Sequence, residues 1–415
     1  MKAVARICVM LMLKLCLPRI LGMPHEVKIG KDTPVCYSFD ESKAPHLLYT
    51  GNSTVGSVPI LEYKISELTS FDSQFELRTL DPEGVIFFGD IGSEFNWFLL
   101  AVKKRHLSVQ TGHSNGRVIV SAGPIISDGE WKKIVVTKQE GGVSVSVNGD
   151  NIVTVQQSQE SIHAEAGDGL LRIAIGACTP NSSITLALNP PLDGCMRNWD
   201  WVKQDSSVLH RLLQDSQSQR CWEHIVPGSF FPGNASVGFA PQVLWNATVE
   251  KEKEGWSLTV ELAFRPVEDR GVLFAILDPH KNVSFSLSLD QPTKDLVLHL
   301  GGQVFGSRSA PPSLCSGESQ FLQLQVREGE VVTMLGAEEV MRRLEDKDFQ
   351  YLKSLWSQPG SMVYLGGLPE GVSSFHGCLQ VKVQGVDVDL DLAEVKYGDV
   401  RSHSCPPALD IRDGK

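Results

Sequence analysis

Two Gly-Cys dipeptides carry the clearest chemistry in this sequence. Cys195 follows Leu192-Asp193-Gly194, with Cys221 26 residues on; Cys378 follows Phe375-His376-Gly377, with Cys405 27 residues on. Each pair closes a strand-rich block and a short connection. The pattern predicts disulfides Cys195–Cys221 and Cys378–Cys405, each contributing about 3–4 kcal/mol through loop entropy. The chain has nine cysteines; Cys8 and Cys16 lie in the first 22 residues, which leaves seven, an odd number. Cys36, Cys178 and Cys315 read as buried free thiols, with a Cys178–Cys315 bridge as the alternative. Reactive constellations are missing. No G-x-S-x-G, H-E-x-x-H, C-x-x-C, P-loop or dinucleotide fingerprint occurs, and the 11 histidines show no metal-ligand spacing. An enzyme is not expected, and neither a catalytic residue nor a catalytic cofactor is nominated.

The N-terminus reads as a signal peptide, residues 1–22. Lys2 and Arg6 form a basic start, Ile7 to Leu17 is mostly apolar, and Gly22 is a small residue at the cleavage edge. That stretch is shorter than the roughly 20 apolar residues a membrane span needs. Asn52, Asn181, Asn234, Asn246 and Asn282 each begin an N-x-S/T sequon, which suits a secreted, extracellular glycoprotein. The net charge is −11. An acidic chain lacks the positive field that nucleic acid or anionic membrane would attract.

The elements around the cysteines are strands. Phe75 to Thr79, Val143 to Val147 and Phe285 to Leu289 alternate apolar and polar residues, the mark of a sheet with one buried face. Asn148-Gly149 predicts a tight hairpin turn, and Asp81-Pro82-Glu83-Gly84 a type I turn. Helix candidates are Val208 to Gln217 and Glu338 to Leu355. Gly84-Val85-Ile86-Phe87-Phe88 recurs as Gly271-Val272-Leu273-Phe274-Ala275, and Leu171 to Gly176 has a weaker echo in Met362 to Gly367. These echoes lie roughly 185–190 residues apart, which marks a tandem duplication and not a short-period solenoid. The expected architecture is all-β: an arm over 23–55, a first sandwich over 56–221, a linker over 222–233, a second sandwich over 234–407 and a tail over 408–415.

The stretch from Phe75 to Asp90, with Asp128-Gly129-Glu130-Trp131 and Leu192-Asp193-Gly194-Cys195, resembles a laminin G-like domain, a jelly-roll sandwich. Leu365 to Pro369 and Gly377-Cys378-Leu379 resemble it more weakly in the second copy. The tandem pair is similar to the family of laminin G-like plasma carriers of androgens and oestrogens; Asn96-Trp97-Phe98 and Ser121 to Pro124 strengthen the match in the first copy. The resemblance implies that a steroid lies between the two sheets of the first domain. The family's A-ring serine matches Ser73. Its two polar contacts at the 17-hydroxyl end fall on Asn96 and His113, where this chain departs from the usual aspartate and asparagine. Candidate walls are Phe98, Leu80, Phe87, Leu171 and Val202.

Physics makes such a site plausible. Nanomolar affinity is about −12 kcal/mol, while each hydrogen bond adds only about 0.5–1.5 kcal/mol net. Apolar enclosure must supply most of the affinity, and the polar ends set orientation. By composition alone Ser73 is a loop serine, His113 a turn histidine and Asn96 a turn cap. The resemblance also implies calcium at Asp81 and Glu83, completed by carbonyls of the Asn181 to Thr185 turn, and homodimers through the first domain. Zinc is not expected, because its family positions hold Asn96, Ser114 and Asp168 here. The competing reading is an extracellular interaction protein whose rim loops bind a receptor or matrix partner.

Overall fold

The computed structural model describes residues 36, 39, 47–50, 58–91, 97–113, 116–139, 142–156, 169–178, 188, 191–210, 221–245, 255–290, 295–309 and 312–408. All lie in one compact unit, Val35–Lys415.

Four large antiparallel sheets form two sandwiches. The first sheet runs, in spatial order, β1 (Leu48–Tyr49), β12 (Gly194–Asp200), β3 (Ser73–Thr79), β8 (Lys132–Gln139), β9 (Gly142–Val147) and β10 (Asp150–Gln156). Facing it are β2 (Ile60–Lys64), β11 (Leu170–Ile175), β4 (Gly84–Asp90), β5 (Trp97–Lys103), β6 (His106–His113) and β7 (Gly116–Ile125). The second sandwich repeats this order strand for strand. One sheet holds β14 (Ser229–Pro232), β25 (His376–Val383), β16 (Leu258–Pro266), β21 (Gln320–Arg327), β22 (Glu330–Leu335) and β23 (Glu338–Arg343), with β26 (Val386–Asp387) beside β25. The other holds β20 (Gln303–Ser309), β19 (Asp295–Leu300), β18 (Val283–Asp290), β17 (Gly271–Leu277), β24 (Met362–Leu365), β15 (Ser236–Phe239) and β27 (Val395–Tyr397). The repeated pentapeptides are therefore β4 and β17, and the weaker echo is β11 and β24.

Alternation sets the faces. β16 buries every second residue, so Leu258, Val260, Leu262 and Phe264 enter the second core. β4 is buried throughout, because Ile86 and Phe87 face the inner core while Val85 and Phe88 face a second apolar cluster with Trp97 and Leu99. The glycine that opens each repeat has a steric cause. A Cβ on Gly84 would lie 2.6 Å from the Pro191 carbonyl oxygen, and one on Gly271 would lie 2.5 Å from the Phe375 Cα. Asn148 and Gly149 both take positive φ, 53° and 95°, as a two-residue hairpin between β9 and β10 demands.

Three expectations change. The helix foreseen over Glu338 to Leu355 is split: Glu338–Arg343 pairs along β22 as the edge strand β23, and the helix runs Asp346–Ser357. Ladder pairing there overrides helix propensity. The other candidate is helical from Ser207 to His210, and its remainder lies outside the described residues. The stretch foreseen as a linker contains β13 (Val226–Pro227), paired with β28 (Ser404–Cys405), and β14, paired with β25. Finally, Cys195–Cys221 and Cys378–Cys405 are joined as foreseen, but Cys315 bridges to Cys36 and Cys178 is the free thiol among the described residues. The Cys36 N–H donates to the Val267 carbonyl at 2.7 Å, so the arm is tied to the second sandwich.

Candidate binding site and the seam between the sandwiches

Strand direction gives the first sandwich two distinct rims. β3 starts at Ser73 and ends beside Asp81; β4 returns from there to Asp90, which pairs with Trp97 at the start of β5 and with Arg172 of β11. The starts of β3, β5 and β11 and the end of β6 therefore share one rim, called distal below. The opposite rim abuts the second sandwich.

At the distal rim Ser73 is 4% exposed, and its Oγ accepts the Val202 N–H at 3.0 Å. The serine O–H is left to donate. Val202 and Lys203 sit at φ 47° and 51°, a left-handed turn that a β-branched residue adopts only under strain, about 1–3 kcal/mol. The bond to Ser73 helps hold that turn. Just inside it, Trp201 is fully buried. It stacks on Phe75 (5.1 Å between centroids) and meets Phe87 edge-on (5.4 Å); Phe87 in turn packs on Phe98 (5.5 Å). Phe98 and Leu171 join this inner cluster yet are only partly buried. Both face inward at the distal rim and stay partly accessible there.

The structure thus brings together Ser73, Phe98, Leu171, Phe87 and Val202. His113 closes β6 at the same rim, in register with Gly116. Leu80 does not belong with them. It follows β3 at the other rim, about 20 Å away at the rise of a strand, and lines a cleft with Pro82, Arg105 and His403. Phe75 and Leu77 set the inward face of β3, and Leu80, three residues beyond Leu77, is out of step with that face as well as at the other end. Asn96, Ser114, Asp168, Asn52, Asn181 and Asn246 lie outside the described residues. Asn234 and Asn282 are exposed. Sequence reasoning missed Trp201, which no motif marked, and Thr111, a polar residue two positions beyond Leu107 and Val109 on the buried face of β6.

The opposite rim is a seam. Asp81 is buried; its Oδ1 accepts the Glu83 N–H (3.0 Å) and its Oδ2 the Asp193 N–H (2.8 Å). Asp193 accepts the N–H groups of His403 (2.7 Å) and Ser404 (2.9 Å) and the Ser404 hydroxyl (2.9 Å). His403 Nε2 lies 2.9 Å from Asp391, 3.4 Å from Asp81 and 3.6 Å from Asp389. Lys396 pairs with Asp391, whose Oδ1 also accepts the Ser402 hydroxyl at 2.6 Å. Nearby, the buried Arg401 guanidinium lies over the Tyr49 ring, and that of Arg78 donates to the Trp222 and Glu223 carbonyls. A cleft of about 470 Å³ opens beside this network.

Burial works against charge on His403, but its hydrogen bond to Asp391 and the charges of Asp81, Asp391 and Asp193 outweigh it and raise its pKa to about 9. Burial likewise opposes charge on Asp391, and His403 and Lys396 prevail, holding it well below the usual carboxylate range. Burial lifts Asp81 to about 8. One ligand-capable atom each of Asp81, Asp391 and His403 lies within 4.8 Å of the others. Calcium takes six to eight oxygens. Here an imidazole and a lysine ammonium share the space, and both Asp81 oxygens already accept backbone N–H groups. Among the described residues this set does not fit calcium.

The laminin G domain model matches residues 77–206, and a second laminin G domain model matches residues 264–386. Sex hormone-binding globulin of Crocuta crocuta is 30% identical over 392 residues, covering 94% of this chain and 93% of that protein. Vitamin K-dependent protein S of Oryctolagus cuniculus and growth arrest-specific protein 6 of Mus musculus are each 29% identical; the chain spans 61% and 60% of their lengths. The solved domains LG4-5 of the mouse laminin alpha1 chain superpose with a TM-score of 0.65 over 92% of this chain and all of that one, at 18% identity, which speaks for the fold. The class is that of tandem laminin G sandwiches, binding proteins with no catalytic family indicated. The chain belongs to the laminin G family and, within it, to the group of sex hormone-binding globulin, which it matches along nearly its whole length. No helix among the described residues is long and apolar enough to cross a membrane.

Proposed function

We propose that this chain is a secreted plasma carrier that reversibly binds androgens and oestrogens between the sheets of its first sandwich. The observation that supports this most is the distal rim. Ser73, Phe98 and Leu171 come from three strands of two sheets and converge there. A steroid is a rigid apolar plate with an oxygen at each end. The Ser73 hydroxyl, its oxygen already holding Val202, presents its hydrogen to an acceptor on the ligand, while Phe98, Leu171 and Phe87 take the apolar faces. Burial at about 25 cal/mol per Å² provides the main gain. The carrier reading includes a homodimer through the first sandwich, and exposed Asn234 and Asn282 suit glycans.

Similar identity to vitamin K-dependent protein S and growth arrest-specific protein 6 favours a second reading, an extracellular interaction protein acting through its rim loops. Equilibrium binding of labelled dihydrotestosterone and oestradiol to the full chain separates the two. Saturable nanomolar binding, weakened by Ser73→Ala and further by His113→Ala, is the carrier's result. A folded chain without saturable binding would send the search to protein partners.

A further inference from the structure

Thr111 lies on β6 directly opposite Phe98 of β5, so both side chains leave the sheet on one face. Leu107 and Val109, four and two residues earlier, enter the inner core on that same face. Thr111 is 0% exposed and its Oγ1 has no hydrogen-bond partner. The Trp201 Nε1 in the same interior is also without one. Buried polar groups in native proteins are nearly always paired, and an unpaired one calls for a cause. A valine would fill the same volume without that penalty, so the hydroxyl needs a use.

We infer that Thr111 is a ligand-contacting, specificity-determining residue of the inter-sheet site, its hydroxyl pairing with the ligand oxygen at the end away from Ser73. The inference rests on the carrier reading and adds a contact at that end beside His113. β3 packs on β4, shown by the Phe75–Phe87 ring contact at 6.1 Å, and β6 lies two strands from β4. Strands about 4.8 Å apart and sheets about 10 Å apart set Ser73 and Thr111 roughly 14 Å from each other. A four-ring plate bridges that span once the two side chains reach inward. The chemistry at the ends differs. Ser73 is committed as a donor, so it selects an acceptor oxygen. Thr111 is uncommitted, so it takes a hydroxyl or a carbonyl. The ligand class is a flat polycyclic molecule with an acceptor at one end and a hydroxyl or ketone at the other.

The test compares 5α-dihydrotestosterone with 5α-androstan-3-one, which lacks the 17-hydroxyl, on the full chain and its Thr111→Val and Thr111→Ser variants. Wild type should prefer the hydroxylated steroid by about tenfold. Thr111→Val should erase that preference by weakening the hydroxylated steroid alone, Thr111→Ser should keep it, and ligand-free Thr111→Val should melt higher than wild type. Equal losses for both steroids, or none, with wild type binding normally, would overturn the role of Thr111 and leave the carrier reading standing. Wild type binding neither steroid would overturn both.

Discussion

The two rims of the first sandwich are built from the same strands and treat polar groups in opposite ways. At the seam, Asp81 and Asp193 accept five N–H or O–H groups between them, and His403, Ser402 and Lys396 converge on Asp391. At the distal rim, Thr111 and Trp201 hold buried polar atoms with no partner, and inward-facing Phe98 stays partly accessible. The carboxylate network at the seam joins two bodies, although Arg78 Nε, Arg401 Nη1 and Trp222 Nε1 beside it are unpaired too. An unpaired polar interior is less stable by itself and gains from a partner. On the carrier reading, the contrast favours structure at the seam and binding at the distal rim.

The largest way to break this contrast is Asp193→Ala. It strands the N–H groups of His403 and Ser404, and each unpaired buried donor costs about 1–3 kcal/mol. A loss of about 4 kcal/mol in urea unfolding, with steroid affinity kept, is expected; a loss under about 1 kcal/mol would show that the seam is not stabilising. Next comes pH. His403 has a folded pKa of about 9 against 6.5 unfolded, so its stabilisation is complete below about pH 6.5 and fades as pH climbs through 9, by about 3 kcal/mol. Asp81, raised by burial to about 8, loses stability in the same direction as pH rises from about 4 to 8. Asp391, held well below the usual carboxylate range by His403 and Lys396, keeps its charge across this range. Denaturation midpoints measured from pH 6 to 10 should fall, and His403→Gln should flatten the curve above pH 7.

Ser73→Ala sharpens the other side. Steroid affinity should drop about tenfold, and stability by about 1–2 kcal/mol, because the strained Val202 loses the acceptor for its N–H. Affinity unchanged in a titration with dihydrotestosterone would remove Ser73 from the site. The smallest effect is a control at neither rim. Gly149→Ala introduces a Cβ that meets nothing within 4 Å, so its cost is the positive φ alone, about 1 kcal/mol. Thermal unfolding should register that loss, and binding should not change.

Much of the fold was legible in the residues. Period-two alternation marked β3, β9 and β18, Asn148-Gly149 marked a hairpin, and the repeated Gly-Val-apolar runs marked two copies of one sandwich. The local disulfides followed from spacing, and family likeness singled out Ser73. These signals are short-range or inherited, so a linear reading captures them. The misses share a different cause. Leu80 was a wall by likeness alone; it is out of step with Phe75 and Leu77 and sits at the other end of β3, beside the seam cleft. Cys36 finds Cys315 across 279 residues, and Asp193 finds His403 across 210. Asp81 read as the start of a turn, and nothing near it in the chain announced that His403 and Asp391 would stand beside it from the other sandwich. Thr111 read as one polar residue in a strand until burial removed its water and left it unpaired. The sequence by itself determined which residues face inward and that the unit occurs twice. How the two rims differ was decided by tertiary structure, because only packing brings donors and acceptors far apart in the chain together or leaves them without partners.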